Sequence, residues 1–289
     1  MFPPRRIYLV PLPDGRELRL GERPLVMGIL NVTPDSFAER SVLRDPNAAI
    51  DRALEMEALG ADIIDIGGES TRPGTEPVSA SEECARVLPV LKGLAGRLKV
   101  PISLDTYKAD VAHAALGEGA VIINDISGLR YEPDLASVVA RHDAALVLMH
   151  MRGRSKTMYA QAAYQDVVGE VTNELQESLR AAMAAGVWSA RVILDPGIGF
   201  AKRPADSYGV LARLPEFASA LDRPLLVGPS RKSFLSDAVD GRPAVDRDWG
   251  TAAAVTAAVL AGAHIVRVHA VGEMAQVVRV AEQVRRHGA

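Results

Sequence analysis

Short, continuous apolar runs recur along this chain, separated by longer stretches in which apolar residues return every third or fourth position. Eight runs stand out, at 25–30, 62–66, 100–104, 121–123, 145–149, 191–194, 224–227 and 264–268. They are rich in Val, Ile and Leu and do not alternate with polar residues, as expected for strands buried on both faces of a parallel sheet. Between them the pattern predicts helices over 46–59, 79–94, 163–185, 249–261 and 273–286. Asp45 is placed to cap the first and Gly60 to stop it, Ser79-Ala80-Ser81-Glu82 forms a capping box for the second, and Gly186 ends the third. Before the first run, residues 7–20 (IYLVPLPDGRELRL) predict a hairpin turning at Pro13-Asp14-Gly15. Eight strand–helix units in 289 residues predict a single (β/α)8 TIM barrel over 23–289, capped by the hairpin in 1–22. A doubly wound open sheet is the runner-up.

Composition narrows the class. Apolar residues make up 48% of the chain, ample for one large core, and the net charge of −3 with no basic block argues against a nucleic-acid partner. A single cysteine, Cys84, excludes an internal disulfide or a zinc cluster and reads as a helix residue packed on the core. MFPPRRIYLV at the start lacks the form of a signal peptide, and the apolar region 251–266 is broken by Gly262 and His264. The expectation is a cytoplasmic protein with no membrane partner.

In such a barrel the chemistry collects where the strands end. The residues following the eight runs are Asn31; Gly67-Gly68-Glu69-Ser70-Thr71-Arg72; Asp105-Thr106; Asn124-Asp125; His150; Asp195-Pro196-Gly197; Ser230-Arg231-Lys232; and His269, with Arg267 inside the last run. Asp105, Asn124 and Asp195 would converge on one cavity and suit a flat heterocycle with paired N–H donors, with Lys232 facing a ring acceptor. Alone, Asp105 or Asp195 would read as a helix cap. Thr71, Arg72, Arg267 and His269, near Gly67-Gly68, form a cationic set suited to phosphate oxygens. His150 reads as a buttress to its neighbours, and His113, His142 and His287 as helix-surface residues. No serine has a convincing histidine–carboxylate pair, no His/Cys spacing suits a metal, and Gly197-Ile198-Gly199 is only a lone GxG.

Taken together, MGILNVTPDSF (27–37), DIIDIGGESTRPG (62–74), ISLDTYKA (102–109), IINDISG (122–128), MHMRG (149–153), DPGIGFAK (195–202), SRKSF (230–234) and RVH (267–269) resemble the dihydropteroate synthase family, in order and over nearly the whole chain. The resemblance implies a homodimeric (β/α)8 transferase of folate biosynthesis. It would join 6-hydroxymethyl-7,8-dihydropterin pyrophosphate to 4-aminobenzoate by an SN1-like route and release pyrophosphate. It implies that Asp105, Asn124, Asp195 and Lys232 hold the pterin, with Asp105, Asp195 and Lys232 catalytic. Asn31, Thr71, Arg72, Arg267 and His269 would take the pyrophosphate. Phe37, Pro73, Phe200 and Ser233 would frame the aminobenzoate, and Asn31 with Glu39 would serve Mg2+. Sulfonamides, as mimics of 4-aminobenzoate, are expected competitors.

Three places depart from the family pattern. Ala38-Glu39-Arg40-Ser41 replaces the usual Ser-Asp-Gly-Gly, so Glu39 stands in for an aspartate and both glycines are lost. Arg154-Ser155-Lys156 lacks a common proline, and Ala270 follows RVH where aspartate is usual. The altered first loop keeps a sulfonamide-insensitive synthase and a non-catalytic pterin-binding paralogue in view; the pterin trio keeps in view a methyltetrahydrofolate–corrinoid methyltransferase-like barrel. The last would have no need of the cationic set.

Overall fold

The computed structural model describes residues 2, 4–33, 45–70 and 74–288. Eight strands form one parallel sheet: β3 (Leu25–Asn31), β4 (Ile63–Gly67), β5 (Ile102–Asp105), β6 (Ile122–Asp125), β7 (Ala145–Met149), β8 (Val192–Asp195), β9 (Leu226–Val227) and β10 (Ile265–Val268). Their order, β8-β7-β6-β5-β4-β3-β10-β9, curls into a barrel. Leu194 bridges Leu225 just before β9, bringing the two edges together. The predicted barrel is therefore present. Around it, among the described residues, run α1 (Pro46–Ala58), α2 (Ala80–Leu94), α3 (Ala109–Gly117), α4 (Leu135–Arg141), α5 (Val167–Ala184), α6 (Pro204–Ala212), α7 (Leu214–Leu221), α8 (Asp248–Leu260) and α9 (Val271–His287).

Local chemistry explains the boundaries. Asp45 accepts from Asn47 N–H at 2.9 Å to start α1, and Gly60 follows it at a φ of 104°. Ser79 Oγ accepts from Glu82 N–H at 3.2 Å at the head of α2. The helix expected over 163–185 begins later, at Val167, because Glu170 Oε1 turns back to accept the N–H groups of Gln165 and Asp166 at 2.7 and 3.1 Å. Several strands run one or two residues further than the apolar pattern suggested: Asn31, Gly67, Asp105, Asn124, Asp125 and Asp195 are strand residues rather than the first loop residues. Cys84 is half-buried against the helix–barrel core, which pushes its thiol pKa up.

The hairpin forms as β1 (Tyr8–Pro11) and β2 (Glu17–Leu20). Val10, Leu12, Leu18 and Leu20 pack with the base-layer barrel residues Leu25, Met27, Ile63, Ile122, Val147, Ile193, Leu226 and Ile265. They close the end of the barrel opposite the strand C-termini. His264 clips the same region: its ring nitrogens lie 3.1 Å from Leu225 N and 3.0 Å from Arg6 O. No described helix is long and apolar enough to cross a membrane.

Candidate active site

Strand alternation decides which side chains enter the mouth. Ile122, Ile193 and Ile265 point into the apolar base of the barrel, so Asn124, Asp195 and Arg267, two residues on, face the same interior. Register aligns a rung: Asn31 opposite Gly67, Gly67 opposite Asp105, and Asp105 opposite Asn124. A Cβ on Gly67 would fall 3.6 Å from Asn31 Oδ1 and 3.5 Å from Asp105 Cβ, filling the space between them.

Beneath this rung Arg267 is held by two carboxylates. Its Nε donates to Asp65 Oδ2 and its Nη2 to Asp105 Oδ2, both at 2.6 Å. Asn124 Nδ2 donates to the same Asp65 oxygen at 3.0 Å. An ionised carboxylate only accepts, so this contact fixes the amide and turns the Asn124 carbonyl away from Asp65. Burial pushes the Asp105 carboxyl up to about 7; Arg267 pulls it down, while Asp65, Glu83 and Glu69 add repulsion. Burial also raises Asp195, against the pull of Lys232 and the Gly197 N–H, which donates to its Oδ1 at 2.7 Å. Lys232 is pushed down to about 8 by burial, opposed by Asp195. Its Nζ donates to Ile198 O at 2.5 Å and lies 4.3 Å from the centre of the Phe200 ring. The predicted trio and Lys232 thus do converge, as a buried floor of acceptors beside one ammonium. Neither Asp105 nor Asp195 caps a helix: α3 follows Lys108, and α6 follows Arg203.

The cationic set is divided. Arg267 joins the carboxylate floor, while His269 stands at its edge, its Nδ1 2.9 Å from Ser230 Oγ. Ser230 Oγ also accepts the His269 backbone N–H at 3.2 Å, so one hydroxyl fixes both the ring and the backbone of His269. Ser233 reaches Tyr159 OH at 3.1 Å, and Tyr159 clusters with Phe200. The 230–233 loop is fixed to α8 by Arg231, whose Nε and Nη2 each donate to Asp248 at 2.8 Å. Phe37, Glu39, Thr71, Arg72 and Pro73 lie outside the described residues. Among the described residues no group of three or more His, Cys, Asp or Glu could hold a metal ion.

Several participants received no role in the sequence reading. Asp65 had a visible signal, a carboxylate inside an apolar strand, yet its pairing with Arg267 spans 202 positions. Glu69 anchors the second loop: it accepts from Lys108 Nζ at 2.5 Å, from Tyr107 OH at 3.0 Å and from Val78 N–H at 3.1 Å. Lys108 also pairs with the buried Glu83. Lys202, at the end of DPGIGFAK, is buried beside His150. His150 is indeed a buttress: burial lowers its pKa to about 3, and it sits between Lys202 and Glu174. The GxG is a turn, with Gly197, Gly199 and Ala201 at φ 69°, 79° and 48°. The left-handed Ala201 costs about 1–2 kcal/mol that its surroundings must offset.

Residues 27–269 match the family described as pterin binding enzyme. A dihydropteroate synthase of Synechocystis is 46% identical over 286 residues, covering 99% of this chain and 96% of that protein. A Yersinia pestis dihydropteroate synthase in complex with a sulfonamide drug superposes with a TM-score of 0.89 at 40% identity, covering 99% of this chain and 100% of the other. A Burkholderia cenocepacia dihydropteroate synthase complexed with 7,8-dihydropteroate superposes with a TM-score of 0.86 at 41% identity, covering 98% and 99%.

Proposed function

This chain belongs to the pterin-binding enzyme family, among its dihydropteroate synthases, and from that premise we propose how its barrel mouth carries out the synthase reaction of folate biosynthesis. One observation carries the reading: Asp105, Asn124 and Asp195 form a buried, acceptor-lined floor next to Lys232. The amidine-like edge of a dihydropterin presents the N–H donors that such a floor pairs with, and a ring acceptor meets Lys232. The C–O bond to pyrophosphate breaks early and positive charge spreads into the ring. Asp105 and Asp195, already desolvated, stabilise that charge without reorganising. Arg267 and His269, with Thr71 and Arg72 by family resemblance, receive the departing pyrophosphate. The arylamine, positioned by Phe200 and Ser233 and, by family resemblance, Phe37 and Pro73, attacks the exposed methylene and gives up one N–H proton to solvent.

We propose Mg2+ as the metal of this mouth. Asn31, on the rung beside Gly67, offers a hard amide oxygen, and magnesium needs only one or two protein oxygens beside phosphate and water. Asn31 and Glu39 would hold it, and when bound it supplies positive charge toward the leaving group. We take the working form to be a cytoplasmic homodimer, as the family resemblance implies; light scattering on the purified protein reads the oligomer.

The deciding assay is pyrophosphate release with and without 4-aminobenzoate. Release that depends on the arylamine is expected; pterin binding without release would make this chain a non-catalytic paralogue. A second reading concerns sulfonamides and rests on Ala38-Glu39-Arg40-Ser41. A loop altered beyond the outline of 4-aminobenzoate can exclude the larger drug and still admit the substrate. Insensitivity predicts an inhibition constant for sulfamethoxazole far above the KM for 4-aminobenzoate; comparable values would rule it out.

A further inference from the structure

Behind the mouth, five consecutive backbone carbonyls each accept a hydrogen bond from a side chain. Lys202 Nζ donates to Gly197 O and Phe200 O, both at 3.2 Å. Lys232 Nζ donates to Ile198 O at 2.5 Å, Tyr159 OH to Gly199 O at 3.4 Å, and Tyr164 OH to Ala201 O at 2.9 Å. The third proton of Lys202 goes to His150 Nδ1 at 2.8 Å. An ammonium has three N–H donors, so all three are used by a side chain that is only 1% exposed. Because His150 Nδ1 accepts, its Nε2 carries the proton and donates to Glu174 Oε2 at 3.1 Å. Glu174 is itself gripped by Arg130 at 2.8 Å and by Arg152 at 2.9 and 2.5 Å. The chain from Arg152 to Lys202 therefore links MHMRG to DPGIGFAK, two motifs whose histidine and terminal lysine have no task in the reaction itself.

The turn needs such support. It belongs to neither helix nor strand, and three of its residues adopt positive φ. A Cβ on Gly197 would meet His150 O at 2.0 Å, so the turn sits directly on the β7 terminus. It carries Phe200, and its Ile198 carbonyl accepts a hydrogen bond from Lys232 Nζ. We infer that Lys202 is a positioning residue for the reaction: by pinning the Gly197 and Phe200 carbonyls, with His150 and Glu174 behind it, it holds Phe200 in the arrangement that receives the arylamine. Lys202 touches no substrate; it acts through the backbone of the turn. This inference rests on the site reading above for Phe200.

Lys202→Met keeps the length of the side chain and removes all three donors. In the folded variant, amide hydrogen exchange over 197–202 is expected to quicken about tenfold or more, as a local opening becomes easier. The KM for 4-aminobenzoate is expected to rise about tenfold while kcat at saturation stays within about threefold, because the acceptor floor is intact. His150→Leu should follow the same pattern, and it carries the test if Lys202→Met does not fold. His150→Gln, which presents an oxygen to Lys202 and an N–H to Glu174, should restore what His150→Leu loses. Unchanged exchange in either loss variant would overturn the inference, as would a fall in kcat at constant KM, which would make Lys202 an electrostatic partner of Asp195 instead. Should the wild type release no pyrophosphate, the site reading fails, and the exchange measurement still judges whether Lys202 holds the turn.

Discussion

Asp105 concentrates the electrostatics of this site in one carboxyl. Burial pushes it up to about 7, so its charge changes with pH near neutrality before any ligand arrives. In the proposed binding mode the donor edge of a pterin pairs with the ionised form, so below about 7 binding must also remove a proton. Pterin affinity should therefore rise by up to about tenfold per pH unit on approach to pH 7 and fall again above about 8, where Lys232 loses its proton. Titration calorimetry across this range checks it; a flat affinity contradicts it. For folding the sign reverses. The folded pKa lies above the unfolded value, so the folded chain holds more protons between about 4 and 7, and stability from this group falls as pH rises through that window. Asp105→Asn should flatten that part of an unfolding-versus-pH curve. Asp195→Asn removes charge from the other side of the floor and should lower kcat/KM by roughly 100-fold or more while the protein stays folded. Normal turnover in that variant would remove Asp195 from the mechanism. Arg267→Ala should weaken pyrophosphate binding and pterin binding together, since it strips Asp65 and Asp105 of their shared cation. The sequence made the residue types at the mouth readable because strand ends project them. It could not show that Arg267 turns downward to Asp65, since that depends on which of two polar layers its side chain reaches.

Helices and strands were legible in proportion to how far local pattern alone determined them. The long apolar runs and the capped helices α1 and α2 stand close to where the pattern places them. Helices α3, α4, α6 and α7, only seven to nine residues each, were not foreseen. Their side chains fill short gaps on the barrel wall, and a segment of two turns draws its stability from that packing rather than from its own propensity. The polar strand ends misled in the opposite direction: aspartate and asparagine are poor strand formers by type, yet ladder bonds from both neighbours keep Asp105 and Asn124 in the sheet. Helix α9 carries a test of local chemistry. Its N-cap is Ala270, which has no side-chain acceptor for the first-turn N–H groups. The family pattern has aspartate there, the residue type that caps best. Ala270→Asp should stabilise the chain by about 1 kcal/mol, a rise in Tm of roughly 2–4 °C, readable by calorimetry. No rise would show that the ψ of 77° at this position keeps a carboxylate from reaching the helix.

At the scale of the whole molecule the two ends of the barrel do different work. The mouth gathers buried charge at a cost in stability, with Asp105, Asp195, Lys202 and Lys232 all held away from their ordinary pKa values by burial. The base is apolar, and its closure by the hairpin supplies part of what offsets that cost. Leu20 is fully buried there, packed in one cluster with Val10, Met27, Ile63 and Ile265. Leu20→Ala leaves a cavity that strands on opposite sides of the barrel cannot collapse together to fill. Its expected cost is about 2–5 kcal/mol in urea unfolding, with no polar group exposed and no strand register changed. The interior between base and mouth is filled by close-packed side chains of fixed register, so the lost volume should not reach Asp105 or Asn124. KM values for both substrates and kcat should then stay at wild-type levels at temperatures where the variant is folded. A fall in kcat in step with the fall in stability would mean instead that the base layer sets the spacing of the carboxylate floor, and that the division of labour between the two ends fails.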